Sequence, residues 1–545
     1  MGTRRTGCLK YICPGLTDVI YSRCLVKAGA DLGKSNHYGG TCLINSVQSP
    51  ELVKLLLDTD RVEVNAQDIQ RKTALHYAVQ ENRIDSALLL LAAGADPMIL
   101  SKYGDDVLQT ACLKGSLHVF NHLLETVFFD PTRIAESFEL IGTTFLLDFH
   151  DIGSTLFFWR KALEIRYEGA FRHYPKVIDH DEVHPVLGVR EFDTKDELDD
   201  LNGDPKALKI QALLITERVL GAGHKDTIFR YMYAGAAHAD SNEYGTCVAL
   251  WNYALKLKLQ KETLVSCDTA FTARAVAQLY INILARYLNN PDPFEENPIK
   301  FEDVLITTRY LKSGMSHALD LLDSKPQYQT QLDNFDTVLT TWIHLIHILL
   351  QLAESPEHMT QVLEEVLPLL KMHARTKKTG DTLLHLAVSS TSLHSNSFLD
   401  GDPDSSALSV FPSLEVTDFI LKCGYDVHCR NNLQETPLHI ASKTENFSNN
   451  IMTKLLDHGA HLDTPDVRDI CPIDILKAQP NKINVVPYVS LKCLAAQVIV
   501  KERIPYEQHE MPDHLEDLLT MHMPNLPALR ILEECCSSLD LEGFS

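Results

Sequence analysis

The feature that most constrains this chain is a short corner, threonine, two residues, then histidine, that recurs with a shared pattern after it. It occurs at Thr73/His76, Thr382/His385 and Thr436/His439. The three copies lie within "KTALHYAVQENRIDSALLLLAAGADP" (72–97), "GDTLLHLAVSS" (380–390) and "ETPLHIASKTENFSNNIMTKLLDHGAHLD" (435–463). The first and third copies run on into an apolar helix closed by Gly94 or Gly459, where a helix end needs positive φ. Thr41, Thr73 and Asp106 share one phase, about 33 residues apart. A unit of that size cannot bury its own apolar face, so it must stack on others like it.

This period and corner define the ankyrin unit. Three consecutive repeats follow at 37–67, 68–101 and 102–132, and "CLVKAGADL" (24–32) is the back half of an earlier one. The threonine hydroxyl should cap the first helix, and the imidazole should tie one loop to the next. His76, His385 and His439 are therefore read as structural, with no catalytic or metal role. Between the two blocks the period changes. "RYMYAGAAHADSNEYGTCVALWNYALKLKL" (230–259) sets Gly235, His238, Cys247, Trp251 and Ala254 at tetratricopeptide-like offsets. Trp251 should fill the groove between units, although Leu259 stands where that repeat usually carries proline. The acidic stretch 191–205 reads as a loop followed by a helix start.

The fold expected is all-α: an ankyrin solenoid interrupted by a tetratricopeptide-like helical segment and followed by two short C-terminal helices. Its parts are 1–20, a non-matching segment; 21–132, ankyrin repeats; and 133–370, the helical middle. A second ankyrin block occupies 371–479, with an insertion at 391–412 read as a mobile surface segment. The end helices occupy 480–523 and a tail 524–545.

Composition narrows the function. The formal charge of −23 repels a phosphate backbone, so nucleic acid is a poor partner and cationic partners are favoured. The 13 cysteines form no CxxC pair and no regular framework, as in reduced proteins of the cytoplasm or nucleus. The densest apolar run, "WIHLIHILLQLA" (342–353), is interrupted by His344, His347 and Gln351, so no membrane association is expected. "MGTRRT" fits the short N-myristoylation pattern at Gly2 and Thr6, but one such chain anchors only marginally.

Candidates for chemistry are few. "HDEVH" spaces His180 and His184 as a helical zinc pair would be, but Asp181 replaces the usual glutamate and Pro185 biases His184 away from helix. "HEMPDH" (509–514) spaces its histidines five apart, off a common helix face. No phosphate-binding glycine loop and no nucleophile elbow is found. The expectation is no catalytic residue, no cofactor and no metal.

A binding surface remains. After Pro480 and Pro487, Ser490 is placed to cap a helix in which Leu491, Leu494, Ala495 and Val498 fall on one ridge. That ridge could cap the last repeat or enter a partner's groove. A second amphipathic helix, "MPDHLEDLLTMH" (511–522), has Pro512 at its start and Leu515, Leu518 and Leu519 on one stripe. Two such helices in series exceed what a cap requires.

The order of ankyrin repeats, tetratricopeptide-like middle, further repeats and "SLKCLAAQVI…IPYEQHEMPDHLEDLL" resembles the feminization (Fem) family of ankyrin proteins, over about residues 21–523. The resemblance implies a substrate receptor of a cullin-two-type RING ubiquitin ligase, itself non-catalytic, that binds proteins by C-terminal degrons, often ending in arginine. It further implies an elongin-binding box in which Leu491 enters the elongin C pocket, with Cys493, Leu494 and Val498 beside it. A cullin box would comprise Met511, Pro512 and Leu515. The implied partners are elongin B and elongin C, the cullin scaffold with its RING protein, and degron-bearing substrates. Cys493 follows Leu491 by two residues, whereas a general elongin box has its cysteine four after the leucine, so the box is read by analogy with this family.

Residues 1–20 carry no recognisable repeat, and the chain joins the pattern in mid-repeat at Cys24, as expected of a truncated or alternative start. The family's degron-holding repeats lie upstream of that join, so no degron-binding residue is assigned. The alternative reading is an ankyrin scaffold, or a substrate-blind form that competes for elongin and cullin. No heptad or self-complementary motif argues for a homodimer, although nothing in the sequence forbids one.

Overall fold

Each threonine–histidine corner starts a helix for the same local reason. The Thr73 N–H donates to His76 Nδ1 at 3.2 Å, and the Thr73 hydroxyl lies 2.9 Å from the same nitrogen. With Nδ1 accepting, the imidazole carries its proton on Nε2, which lies 3.4 Å from the Asp105 carbonyl in the next loop. His385 repeats this towards the Glu435 carbonyl at 2.9 Å, and His439 towards that of Ile470 at 3.2 Å. Burial depresses the pKa of all three, so they sit neutral among the repeats as structural side chains. In the repeat at 102–132 Asp106 and Gln109 replace the pair and make the same reciprocal cap.

The computed structural model describes residues 19–167, 174–176, 183–289, 299–324, 328–390, 410–478, 483–502, 504 and 513–523. Among them every regular element is a helix, apart from one isolated bridge between Arg375 and Thr382, as the all-α solenoid reading requires. The chain divides into two units, Met1–Tyr231 and Met232–Ser545. The expected insertion at 391–412 lies outside the described residues except for 410–412.

In the first unit the ankyrin pairs are Ala74–Gln80 with Ile84–Ala92 and Val107–Lys114 with Leu117–Thr126. They are preceded by Pro50–Leu57 and its short leading turn. Their inner faces, with Leu43, Leu75, Leu90, Leu108 and Phe120 fully buried, form one core. A longer hairpin, Pro131–Leu147 and Ile152–Tyr167, packs on Val107–Lys114 and continues that core.

Behind the hairpin lies a buried ion network. Glu139 receives Arg166 through two bonds of 2.7 and 3.0 Å and Arg218 at 2.5 Å. Arg218 also donates to Glu191 at 2.8 and 3.0 Å, and Lys176 reaches Glu191 at 2.9 Å. Burial raises the Glu139 pKa, but the Arg218 and Lys176 charges and the Arg166 hydrogen bonds outweigh it and hold the carboxyl at about 2. Glu191 is thus a buried charge in the non-helical segment that opens the acidic stretch. The rest of that stretch supplies two helix starts, Thr194 capping Lys195–Asp200 and Asp204 capping Pro205–Leu220.

In the second unit Gln329–Leu352 is the central element. It packs on Cys267–Asn289, Phe301–Ser324, Pro356–Lys371, Leu383–Ala387 and Leu414–Lys422. It is the one described helix long and apolar enough to cross a bilayer, yet two thirds of its apolar window is buried within the unit, with Trp342 and Phe335 fully enclosed. The second ankyrin block follows with Leu383–Ala387, Leu414–Lys422, Pro437–Ser442, Asn449–Asp457 and the half-repeat helix Pro472–Lys477.

Trp251 packs against the preceding helix Lys225–Asp240. A Cβ on Gly235 would meet its ring at 2.4 Å, and its indole N–H donates to the Met232 carbonyl at 2.8 Å. The first unit uses the same device. A Cβ on Gly142 would meet Trp159 at 2.7 Å, and that indole donates to the Glu139 carbonyl at 3.0 Å. In both pairs the acceptor lies three residues before the glycine, one turn away, so the missing side chain admits the ring edge to a helical carbonyl.

Two outcomes follow from this packing. Gly235→Ala should destabilise the second unit by about 1–3 kcal/mol, because a packed indole must shift. Gly245→Ala, with nothing within 4 Å of the added methyl, should be neutral or gain up to about 1 kcal/mol. Paired thermal melts measure the difference. Glu139→Gln should cost the first unit about 3–5 kcal/mol by leaving two arginines under-compensated, read from urea denaturation followed by hydrogen exchange of Pro131–Leu147.

Candidate functional site

The helix Leu491–Lys501 begins where Ser490 accepts a hydrogen bond from the Cys493 N–H at 3.1 Å, as a capping serine should. Its sequence gives it two apolar faces. Leu491, Leu494 and Val498 share one, and they are 84%, 45% and 53% exposed. Cys493 stands two residues on, about 200° around the helix, and with Ala496 forms the other face, which is buried. Exposed Val486 and Val489 precede the open face in sequence.

This arrangement decides against the cap reading of the ridge. The helix rests on its neighbours through Cys493 and Ala496 and leaves the leucine–valine stripe to solvent. It also separates one predicted site residue from the others: Cys493 Sγ lies 3.2 Å from His461 Nδ1 and is 7% exposed, so it does not share the surface of Leu491, Leu494 and Val498. The cause is helical phase, since positions i and i+2 lie on nearly opposite faces.

The second helix, Asp513–His522, packs against Leu491–Lys501. Leu519 is buried, and Leu515 and Leu518 are half-buried, so its stripe turns inward. Met511 and Pro512, the other predicted cullin-box residues, lie outside the described residues. Arg430 ties this helix to the second ankyrin block by donating to the Met521 carbonyl at 2.7 Å. His522 Nε2 approaches Asp463 at 2.9 Å; burial opposes its charge, but the Asp463 carboxylate outweighs this and raises its pKa. Burial, then His428, lowers that of His461. Arg430, His461, Asp463 and His522 carried no sequence signal, because their juxtaposition spans up to 92 positions of chain.

The histidine strings judged unfit for zinc are placed as follows. His184 Nδ1 accepts the Val186 and Leu187 amides at 3.3 and 3.1 Å, and its Nε2 faces Glu217 at 3.2 Å. His180, Asp181 and His509 lie outside the described residues. In the first unit Asp105, His224 and Asp226 converge, but His224 Nδ1 already accepts the Asp226 amide at 3.2 Å.

The two faces make opposite predictions. Leu491→Asp should change stability by no more than about 0.5 kcal/mol, since the side chain is in water. Ala496→Asp should cost about 1–3 kcal/mol and unseat the helix, seen as faster amide exchange over 491–501.

Comparison with known proteins agrees with this architecture. The family described as "Ankyrin repeats (3 copies)" matches residues 20–101. The chain is 30% identical over 423 residues to fem-1 homolog C of Xenopus laevis, covering 77% of this chain and 66% of that protein. It is 28% identical over 547 residues to fem-1 homolog A-like of Mus musculus, covering 92% and 80%. To fem-1 homolog A of Bos taurus it is 29% identical over 533 residues, covering 90% and 79%. This chain thus spans about two thirds of the length of the frog relative. With ankyrin corners in both units and relatives aligned across nearly its whole length, the chain belongs to the fem-1 family of ankyrin-repeat proteins.

Proposed function

We propose that this chain is a non-catalytic substrate-receptor adaptor of a cullin-two-type RING ubiquitin ligase, joined to the ligase through elongin B and elongin C. The observation that carries the reading is the exposed stripe of Leu491, Leu494 and Val498 on a helix already seated by its opposite face. An apolar ridge of this kind suits a groove lined by apolar side chains. Leu491, the most exposed of the three, is the anchor for the elongin C pocket. Cys493 packs inward and supports the helix rather than touching the partner.

Leu515 belongs to the cullin-selecting element with Met511 and Pro512. The solenoid would hold a protein by its C-terminal degron, and a net charge of −23 favours cationic tails. Catalysis would come from proximity and orientation of the bound protein to a charged ubiquitin-carrying enzyme, with no acid, base or nucleophile from this chain. The adaptor would act in the cytoplasm, the nucleus or both.

Co-expression with elongin B and elongin C should give a stable complex with the wild type and none with Leu491→Asp. Normal binding by that variant would show that the stripe is not the elongin contact. Failure of folded wild type to bind would leave an ankyrin scaffold.

A further inference from the structure

Four metal-binding side chains meet where the two C-terminal helices rest on the second ankyrin block. His461 and Asp463 come from the turn after Asn449–Asp457, Cys493 from the first turn of Leu491–Lys501, and His522 from the last turn of Asp513–His522. One donor atom from each lies within 4.8 Å of all the others. His461 Nδ1 is 3.2 Å from Cys493 Sγ and 3.9 Å from Asp463 Oδ1, while Asp463 Oδ2 is 2.9 Å from His522 Nε2. Tetrahedral zinc, with bonds of about 2.0–2.3 Å, sets its donors about 3.3–3.6 Å apart. The observed separations bracket that range.

We propose that His461, Asp463, Cys493 and His522 form a structural zinc site that fastens both C-terminal helices to the last full ankyrin repeat.

The surroundings of each donor support this. His522 Nδ1 lies 2.6 Å from the Leu518 carbonyl in its own helix, which fixes the proton there and aims the Nε2 lone pair at the cluster. The Ser490 hydroxyl donates to Cys493 Sγ at 2.9 Å, a bond that strengthens when the sulfur is a thiolate. One thiolate and one carboxylate balance a divalent cation, leaving two neutral imidazoles and no net charge. Cys493 and His522 are buried, whereas His461 and Asp463 keep a small exposed edge that gives an ion a route in. The mixed sulfur, nitrogen and oxygen set suits zinc and not calcium or magnesium, which need several oxygen donors.

The chemistry also explains why a helix of this length holds its position. Its inward side offers Cys493 and Ala496 as buried residues with Ile499 and Val500 half-buried beside them, a modest apolar contact. A metal ligated from three separate segments supplies what that contact lacks. The competing arrangement is two hydrogen-bonded pairs, Cys493 with His461 and Asp463 with His522, without an ion.

The test uses the full chain with no partner protein. Purified wild type, equilibrated with zinc and then passed over a weak chelating resin, should retain one equivalent of zinc by elemental analysis. Cobalt(II) loading should give a thiolate-to-cobalt charge-transfer band and the intense visible bands of a tetrahedral site. Cys493→Ala should abolish the charge-transfer band, and His522→Ala should weaken metal binding by more than about 100-fold. Metal removal from the wild type should speed amide exchange in 491–501 and 513–522 while leaving 74–80 unchanged. Folded wild type that retains no stoichiometric zinc and shows no thiolate–cobalt band would overturn the proposal, even if the variants fail to fold. Zinc retained undiminished by folded Cys493→Ala would overturn it equally. Neither readout depends on elongin binding, so the site and the adaptor reading can fail separately.

Discussion

A helix pair in a repeat stack has apolar faces on both sides and can cover neither alone, and this constraint governs both units. In the first unit the stack is continued at its C-terminal side by the hairpin Pro131–Leu147 and Ile152–Tyr167. In the second unit Gln329–Leu352 covers the beginning of the ankyrin block, which is why a helix apolar enough for a bilayer is spent inside a protein core. The half-repeat Pro472–Lys477 packs on the helix Pro437–Ser442 at the other side. Leu491–Lys501 then adds a helix whose outer face needs no cover for the fold's sake.

Within each unit polar groups set the geometry that apolar burial leaves loose. Buried imidazoles bridge successive loops, and only the neutral ring can accept the threonine amide at Nδ1 while donating from Nε2 to the next loop. The glycine–tryptophan pairs bring two helices close enough for an indole N–H to reach a main-chain carbonyl. The network around Glu139 holds five segments of the first unit by charge, and its value lies in orientation more than in net stability, because burying these ions costs nearly as much as pairing them returns.

The C-terminal helices turn the same economy towards function. One helix places its ridge in water and its cysteine in the protein, so the face that attaches the helix is not the face it leaves open. In the adaptor role proposed above, fixing that helix would matter, since a loosely held stripe would lose entropy on binding and would aim its cargo poorly. The convergence of two histidines, a carboxylate and a thiol at its base supplies the rigidity the small apolar contact does not.

Local chemistry determined a great deal here by itself. The ankyrin repeats, their caps, the structural role of His76, His385 and His439, and the helix at Leu491 with its ridge were all legible, because each depends on residues within a few turns of one another. Tertiary structure alone decided which face of that helix is open, since a stripe of correct spacing serves a core and a partner equally well. It alone buried Glu191 against Arg218 and Lys176, and set Trp251 against Gly235. It alone gathered His461, Asp463, Cys493 and His522, which lie on separate segments and form no motif. Short-range periodicity records where a helix begins and which residues share a face, but the meeting of distant segments is written only in how those faces pack.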